Sequence, residues 1–130
     1  MKYLGIDYGK SKIGIAYSEG EIASAGKIIP VNGLQGAVAT MIRIINAEKI
    51  EVVVIGKPES GESLKMEENF VMELRKHISD LEIVEVDETL STKHATDLML
   101  QFNLPLKKRR QEDAHSAALI LQEYLDNLSS

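Results

Sequence analysis

Four consecutive apolar residues, Val52-Val53-Val54-Ile55, constrain the fold of this chain more than any other segment. The run lacks the alternation of a strand with one wet face, so it reads as a strand covered on both sides. Strands of that kind belong to α/β layer structures with helices above and below the sheet. The flanking patterns agree. Residues 34–47 set Leu34, Val38, Met41, Ile42 and Ile45 on one helical stripe. Residues 66–78 have helical spacing through Phe70, Leu74 and Ile78, and 82–87 predict a further strand. A helix over 91–102, capped by Ser91 or Thr92, and a terminal helix over 111–128 follow.

The first thirty residues differ in pattern. Residues 2–7 alternate, with Tyr3, Gly5 and Asp7 on one face; Gly9-Lys10-Ser11 is turn chemistry; residues 12–18 and 22–29 predict two more strands. Residues 30–33 and the Pro-, Ser-, Gly- and Glu-rich stretch 57–63 read as loops, and 103–110 as a polar, basic connector. The expected architecture is a three-strand antiparallel meander continued by alternating helices and strands: an α/β fold with a mixed five-stranded sheet. No repeat, low-complexity tract or linker divides residues 1–130, which predicts one domain.

Composition narrows the classes. No apolar run approaches the roughly 20 residues that cross a bilayer, and no signal-peptide pattern opens the chain. Without cysteine there is no disulfide, thiolate metal site or cysteine nucleophile. A cytoplasmic protein is the expectation. A net charge of -5 argues against coating nucleic acid through bulk positive charge. It leaves room for a local basic patch, and Lys107-Lys108-Arg109-Arg110 supplies one, with Lys10 and Lys12 flanking the first turn. A solvated loop is the ordinary reading of such a run; its adjacency to Asp113 sets phosphate contact level with it.

Three acids sit where a carboxylate is locally expensive. Asp7 closes an apolar strand, Glu88 follows the strand over 82–87, and Asp113 shares a helical face with Ala117, Ile120 and Tyr124. Taken singly, each fits a turn, cap or solvent position. Together, a carboxylate set near a core calls for a counter-ion, and hard oxygen ligands point to Mg²⁺ or Mn²⁺. Ions held so can activate water and stabilise the leaving oxygen of a phosphodiester, with no protein nucleophile. His77, His94 and His115 have no metal-ligand spacing on one helix face, and His115 lies roughly 200° around the helix from Asp113. The methionines read as core filler. With two Phe and no Trp, there is no platform for stacking unpaired bases. The stretch from Gly5 to Ser11 is too short for a phosphate-binding loop and leads into a strand, not a helix. It also resembles the first phosphate loop of actin-like and sugar-kinase ATPases, which need two such domains.

Four segments resemble, in order, the motif blocks of the YqgF/RuvX family. These are Gly5-Ile6-Asp7-Tyr8-Gly9-Lys10-Ser11-Lys12-Ile13-Gly14-Ile15-Ala16, Val54-Ile55-Gly56-Lys57-Pro58, Asp87-Glu88-Thr89-Leu90-Ser91-Thr92, and the stretch from Asp113-Ala114-His115 through Leu121. The resemblance covers essentially the whole chain. It implies an RNase H-like fold related to RuvC resolvases, and divalent metal on Asp7, Glu88 and Asp113. It also implies a nuclease acting in 5′-end processing of the small-subunit ribosomal RNA precursor, on structured RNA, with branched DNA as the alternative substrate. A non-catalytic module binding nucleic acid or assembly partners is the rival. Lys12 and Thr89 stand where the family usually has Arg, and Glu59 and Glu62 make the loop after Pro58 acidic. Lys12 keeps charge but not the bidentate fork, and Thr89 loses the charge. Monomer and homodimer both stay open, because no stripe marks a dimer face.

Overall fold

The computed structural model describes residues 1–87 and 112–129, with side chains in the last helix from 115 to 128. The element order is β1 (Tyr3–Tyr8), β2 (Lys12–Ser18), β3 (Ser24–Pro30), α1 (Gly33–Glu48), β4 (Val52–Lys57), α2 (Gly61–His77), β5 (Glu82–Asp87) and α3 (Glu112–Ser129). The strands form one sheet in the order β3-β2-β1-β4-β5. The pairs β1–β2 and β2–β3 are antiparallel, and β1–β4 and β4–β5 are parallel. The mixed five-stranded sheet is the one its patterning predicts. Val52, Val53, Val54 and Ile55 are all buried, as a strand enclosed on both faces must be.

Alternation divides each strand between two cores. Leu4, Ile6, Ile13, Ile15, Val53 and Ile55 pack with Ala37, Val38, Met41 and Ile45 of α1 and Phe70, Val71 and Leu74 of α2. Ala16, Val52 and Val54 pack on the other face with Ala117, Ile120, Leu121 and Leu125 of α3. Tyr8 stacks on Phe70 with ring centroids 4.5 Å apart, which seats α2 over the end of β1. Gln122 fastens α3 to the β2–β3 connection: its Oε1 accepts from the Ala23 N–H at 2.8 Å, and its Nε2 donates to the Glu21 carbonyl at 2.9 Å.

Several boundaries shift by one residue from expectation, and three differences have a physical reason. The third strand begins at Ser24, not at residue 22; Ile22 is 78% exposed. Pro30, expected in a loop, is the last residue of β3 and pairs with Lys12. It is tolerated because β3 is an edge strand and its missing N–H faces no partner strand. The second helix starts at Gly61, five residues earlier than the apolar spacing indicated. That first turn buries little, so periodicity is silent there, while Glu62 suits the positive end of the helix dipole. The helix predicted over 91–102 and the connector over 103–110 lie outside the described residues.

Candidate metal and nucleic-acid site

Asp7 stands half-buried near the C-terminal end of β1, the central strand, on the face covered by α3. Its antiparallel partner is Gly14. On the other side, the parallel pairing runs to Ile6 with Ile55, which leaves Gly56 as the next residue of β4. Gly5, Gly14 and Gly56 are all buried and share the Asp7 face. The strand positions that flank Asp7 on that face are thus glycines.

Gly5 also sets the distance of α3. A Cβ at position 5 would lie 2.8 Å from the Ala117 carbonyl oxygen and 2.9 Å from the Leu121 Cβ, so only glycine lets helix and strand come this close. Two residues back, Tyr3 meets Tyr124 with ring centroids 6.1 Å apart. As β1 advances from Tyr3 to Gly5, its contacts on α3 retreat from Tyr124 toward Ala117. The helix runs antiparallel to the strand, its first turn at the Asp7 end. Ala117 and Ile120, expected to share a face with Asp113, are buried, and Tyr124 is half-buried. His115 is exposed.

The basic residues of the first hairpin part company. Lys12 opens β2 with the same alternation as Gly14 and Ala16, which places it on the Asp7 face. Lys10 instead lines a small cavity of about 100 Å³ with Tyr8, Gly9, Glu62, Ser63 and Met66, on the α2 side. Both lysines are exposed. A larger cavity, about 290 Å³, opens at the opposite end of the sheet beside Lys2, Tyr17 and Lys27, away from Asp7. Glu88 and the run Lys107, Lys108, Arg109 and Arg110 lie outside the described residues. Asp113 has its backbone in the first turn of α3, and its side chain is not described. Among the described residues no three His, Asp or Glu side chains converge on a metal position.

One carboxyl escaped the sequence reading. Glu67 in α2 is 1% exposed, and neither of its oxygens meets a hydrogen-bond donor. Burial first, then the facing Glu85 carboxylate, push its pKa up to about 8, with Lys57 opposing. The signal was present: Glu67 lies three residues before Phe70 and seven before Leu74, on the apolar stripe itself. Burial likewise raises the Tyr8 phenol.

Comparison with known proteins now bears on this geometry. The family model RuvX, described as Holliday junction resolvase, matches residues 1–127. A relative from Ruminiclostridium cellulolyticum is 36% identical over 99% of this chain and 96% of its own length. One from Fusobacterium nucleatum is 34% identical over 96% of each. Both carry names that give them as candidate pre-16S rRNA nucleases. Among solved structures, T. thermophilus RuvC in complex with a Holliday junction superposes with a TM-score of 0.66 at 12% identity, covering 100% of this chain and 97% of that one. The fowlpox virus Holliday junction resolvase gives 0.65 at 12%, covering 98% and 99%. At such identities the likeness speaks for the fold alone, and that fold is the RNase H-like fold of the RuvC resolvases.

Proposed function

This chain belongs to the RuvX family, a family of nucleases, and we propose that it hydrolyses phosphodiester bonds of the small-subunit ribosomal RNA precursor with a divalent ion held by Asp7, Glu88 and Asp113. The observation that carries the reading is the placement of Asp7 among Gly5, Gly14 and Gly56 at the end of the central strand, under α3. Two strand residues advance about 6.6 Å and one helical turn about 5.4 Å. Stepping from Gly5 to Asp7 thus corresponds to stepping from Ala117 back to the turn that contains Asp113. Glu88 directly follows β5, which runs parallel to β4 and so, with β1, ends at the same edge of the sheet. On this reading three elements far apart in the chain carry the acids of one site.

The donor set fits the ion. Carboxylate oxygens are hard ligands suited to Mg²⁺ or Mn²⁺. When bound, such an ion supplies the charge that activates water and steadies the departing oxygen. The chain's own residues do the rest. The acids hold and orient; Lys12, on the Asp7 face, meets a phosphate; Lys107, Lys108, Arg109 and Arg110, next to the first turn of α3, neutralise the strand on either side. The substrate follows from what the relatives' names say of them. Ribosomal precursor as substrate implies a cytoplasmic site of action, and among the described residues no helix is long and apolar enough to cross a membrane.

Cleavage of precursor ribosomal RNA beside a four-way DNA junction, in Mg²⁺, Mn²⁺ and chelator, tests the proposal. Metal-dependent cleavage of the RNA, reduced at least about 100-fold in Asp7→Asn with the fold intact, is expected. Cleavage of the junction alone would make DNA the substrate. Full activity in Asp7→Asn, or in chelator, would remove the mechanism.

A further inference from the structure

Glu67 poses a problem that the nuclease reading does not use. Its carboxyl is 1% exposed, lies on the apolar face of α2, and meets no hydrogen-bond donor at either oxygen. A carboxylate left so would be among the most costly groups in the protein. Three sources of relief exist: a cation, a metal or a proton. The nearby cation is Lys57 of β4, but its Nζ lies 3.6 Å from Glu85 Oε2, and its side chain is 46% exposed. A metal would need a third ligand, and among the described residues no such triad forms. The groups acting on Glu67 are Glu85 from β5, Lys57 from β4 and Glu68 from its own helix, two acids against one base.

We propose that Glu67 carries a proton in the folded protein and shares it with Glu85, so that α2 is latched to edge strand β5 while the proton is held and is loosened when it leaves. The geometry supports the latch from both sides. Glu85 pairs with Ile55 in the parallel ladder and is fixed in register. Glu67 is one turn before Phe70, whose ring stacks on Tyr8, so the helix is anchored beside it. With Glu67 neutral, the triad of Glu67, Glu85 and Lys57 sums to zero; ionisation passes one proton to solvent and leaves two carboxylates facing each other across one lysine. Burial and the facing acid both act to retain that proton up to a pH of about 8.

The test is the full-length chain's stability across pH 5 to 9, with the Glu67 side-chain carboxyl carbon followed by NMR. The wild-type folding constant, relative to that of Glu67→Gln, should fall about tenfold per pH unit through this window and level off above about 8. The carboxyl signal should titrate well above pH 6, and lower in Glu85→Gln. Amide exchange in α2, corrected for intrinsic base catalysis, should quicken at least about tenfold above pH 8 in wild type but not in Glu67→Gln. Titration near the ordinary carboxylate range, a pH-independent ratio, or a Glu67 signal indifferent to Glu85→Gln would overturn the proposal. So would stabilisation by added Mg²⁺ or Ca²⁺ that disappears in Glu67→Gln. If Glu67→Gln does not fold, the wild-type and Glu85→Gln titrations decide alone. None of these readouts involves cleavage, so the latch and the nuclease reading fail independently.

Discussion

Gly5 and Ala117 meet with no room between them: a Cβ at position 5 would sit 2.8 Å from the Ala117 carbonyl oxygen. Since the obstacle is backbone, side-chain rotation cannot relieve it. Gly5→Ala is expected to lose about 1–3 kcal/mol in urea unfolding, as overpacked cores do, and to lower cleavage by lifting the first turn of α3 from Asp7. Gly20, where an added Cβ meets nothing within 4 Å, is the control. Gly20→Ala should stay within about 0.5 kcal/mol of wild type.

Lys12 and Lys10 should separate in binding. Lys12 faces the Asp7 side of the sheet, whereas Lys10 lines the cavity on the α2 side. Lys12→Ala is expected to weaken RNA binding at all sequences and to reduce the slope of log affinity against log salt by about one. Lys10→Ala should move that slope less. Filter binding at several salt concentrations, in Ca²⁺ to suppress cleavage, measures both; equal effects would put the substrate across the hairpin tip instead.

Replacing Glu67 by leucine should stabilise the protein, with a defined sign in pH. A free glutamate loses its proton near 4.5 and the folded Glu67 near 8. Between those values the folded chain holds one more proton than the unfolded chain, so stability falls as pH rises, and it is level on either side. Glu67→Leu removes that dependence. The gain should be roughly 4 kcal/mol larger at pH 8 than at pH 4, read from denaturant midpoints.

Lys49 ends α1 in the left-handed region at φ 56, its N–H bonded to the Ile45 carbonyl. That is the cap position where glycine carries no steric penalty. Lys49→Gly should raise stability by about 0.5–1 kcal/mol, part of the relief being offset by the freer unfolded chain. A loss on thermal melting would mean the lysine stem makes packing contacts that outweigh the backbone strain.

Local pattern sufficed where one residue's neighbours are its own chain neighbours. The bounds of β2 and β5 follow directly from residues 12–18 and 82–87, and the stripe of α1 from its 3.6-residue period. It failed where pairing decides. Pro30 enters β3 because the strand lies at an edge, and α2 begins before its apolar stripe does. The face of Asp7 was readable from alternation, but its glycine neighbours were not, since Gly14 and Gly56 come together with Gly5 only through the strand register. Glu67 sat visibly on an apolar stripe; that a second acid, Glu85, would face it depends on β5 pairing with β4.

The middle place of β1 in the sheet gives Asp7 a particular status. Hydrogen-bonded to β2 on one flank and β4 on the other, its strand is among the described elements least able to shift. In the proposed site the other two acids belong to α3 and to the residue that follows β5 in the sequence. If the proposed site holds, Asp7 is its fixed datum, and an incoming phosphate is aligned against a carboxylate carried by an interior strand.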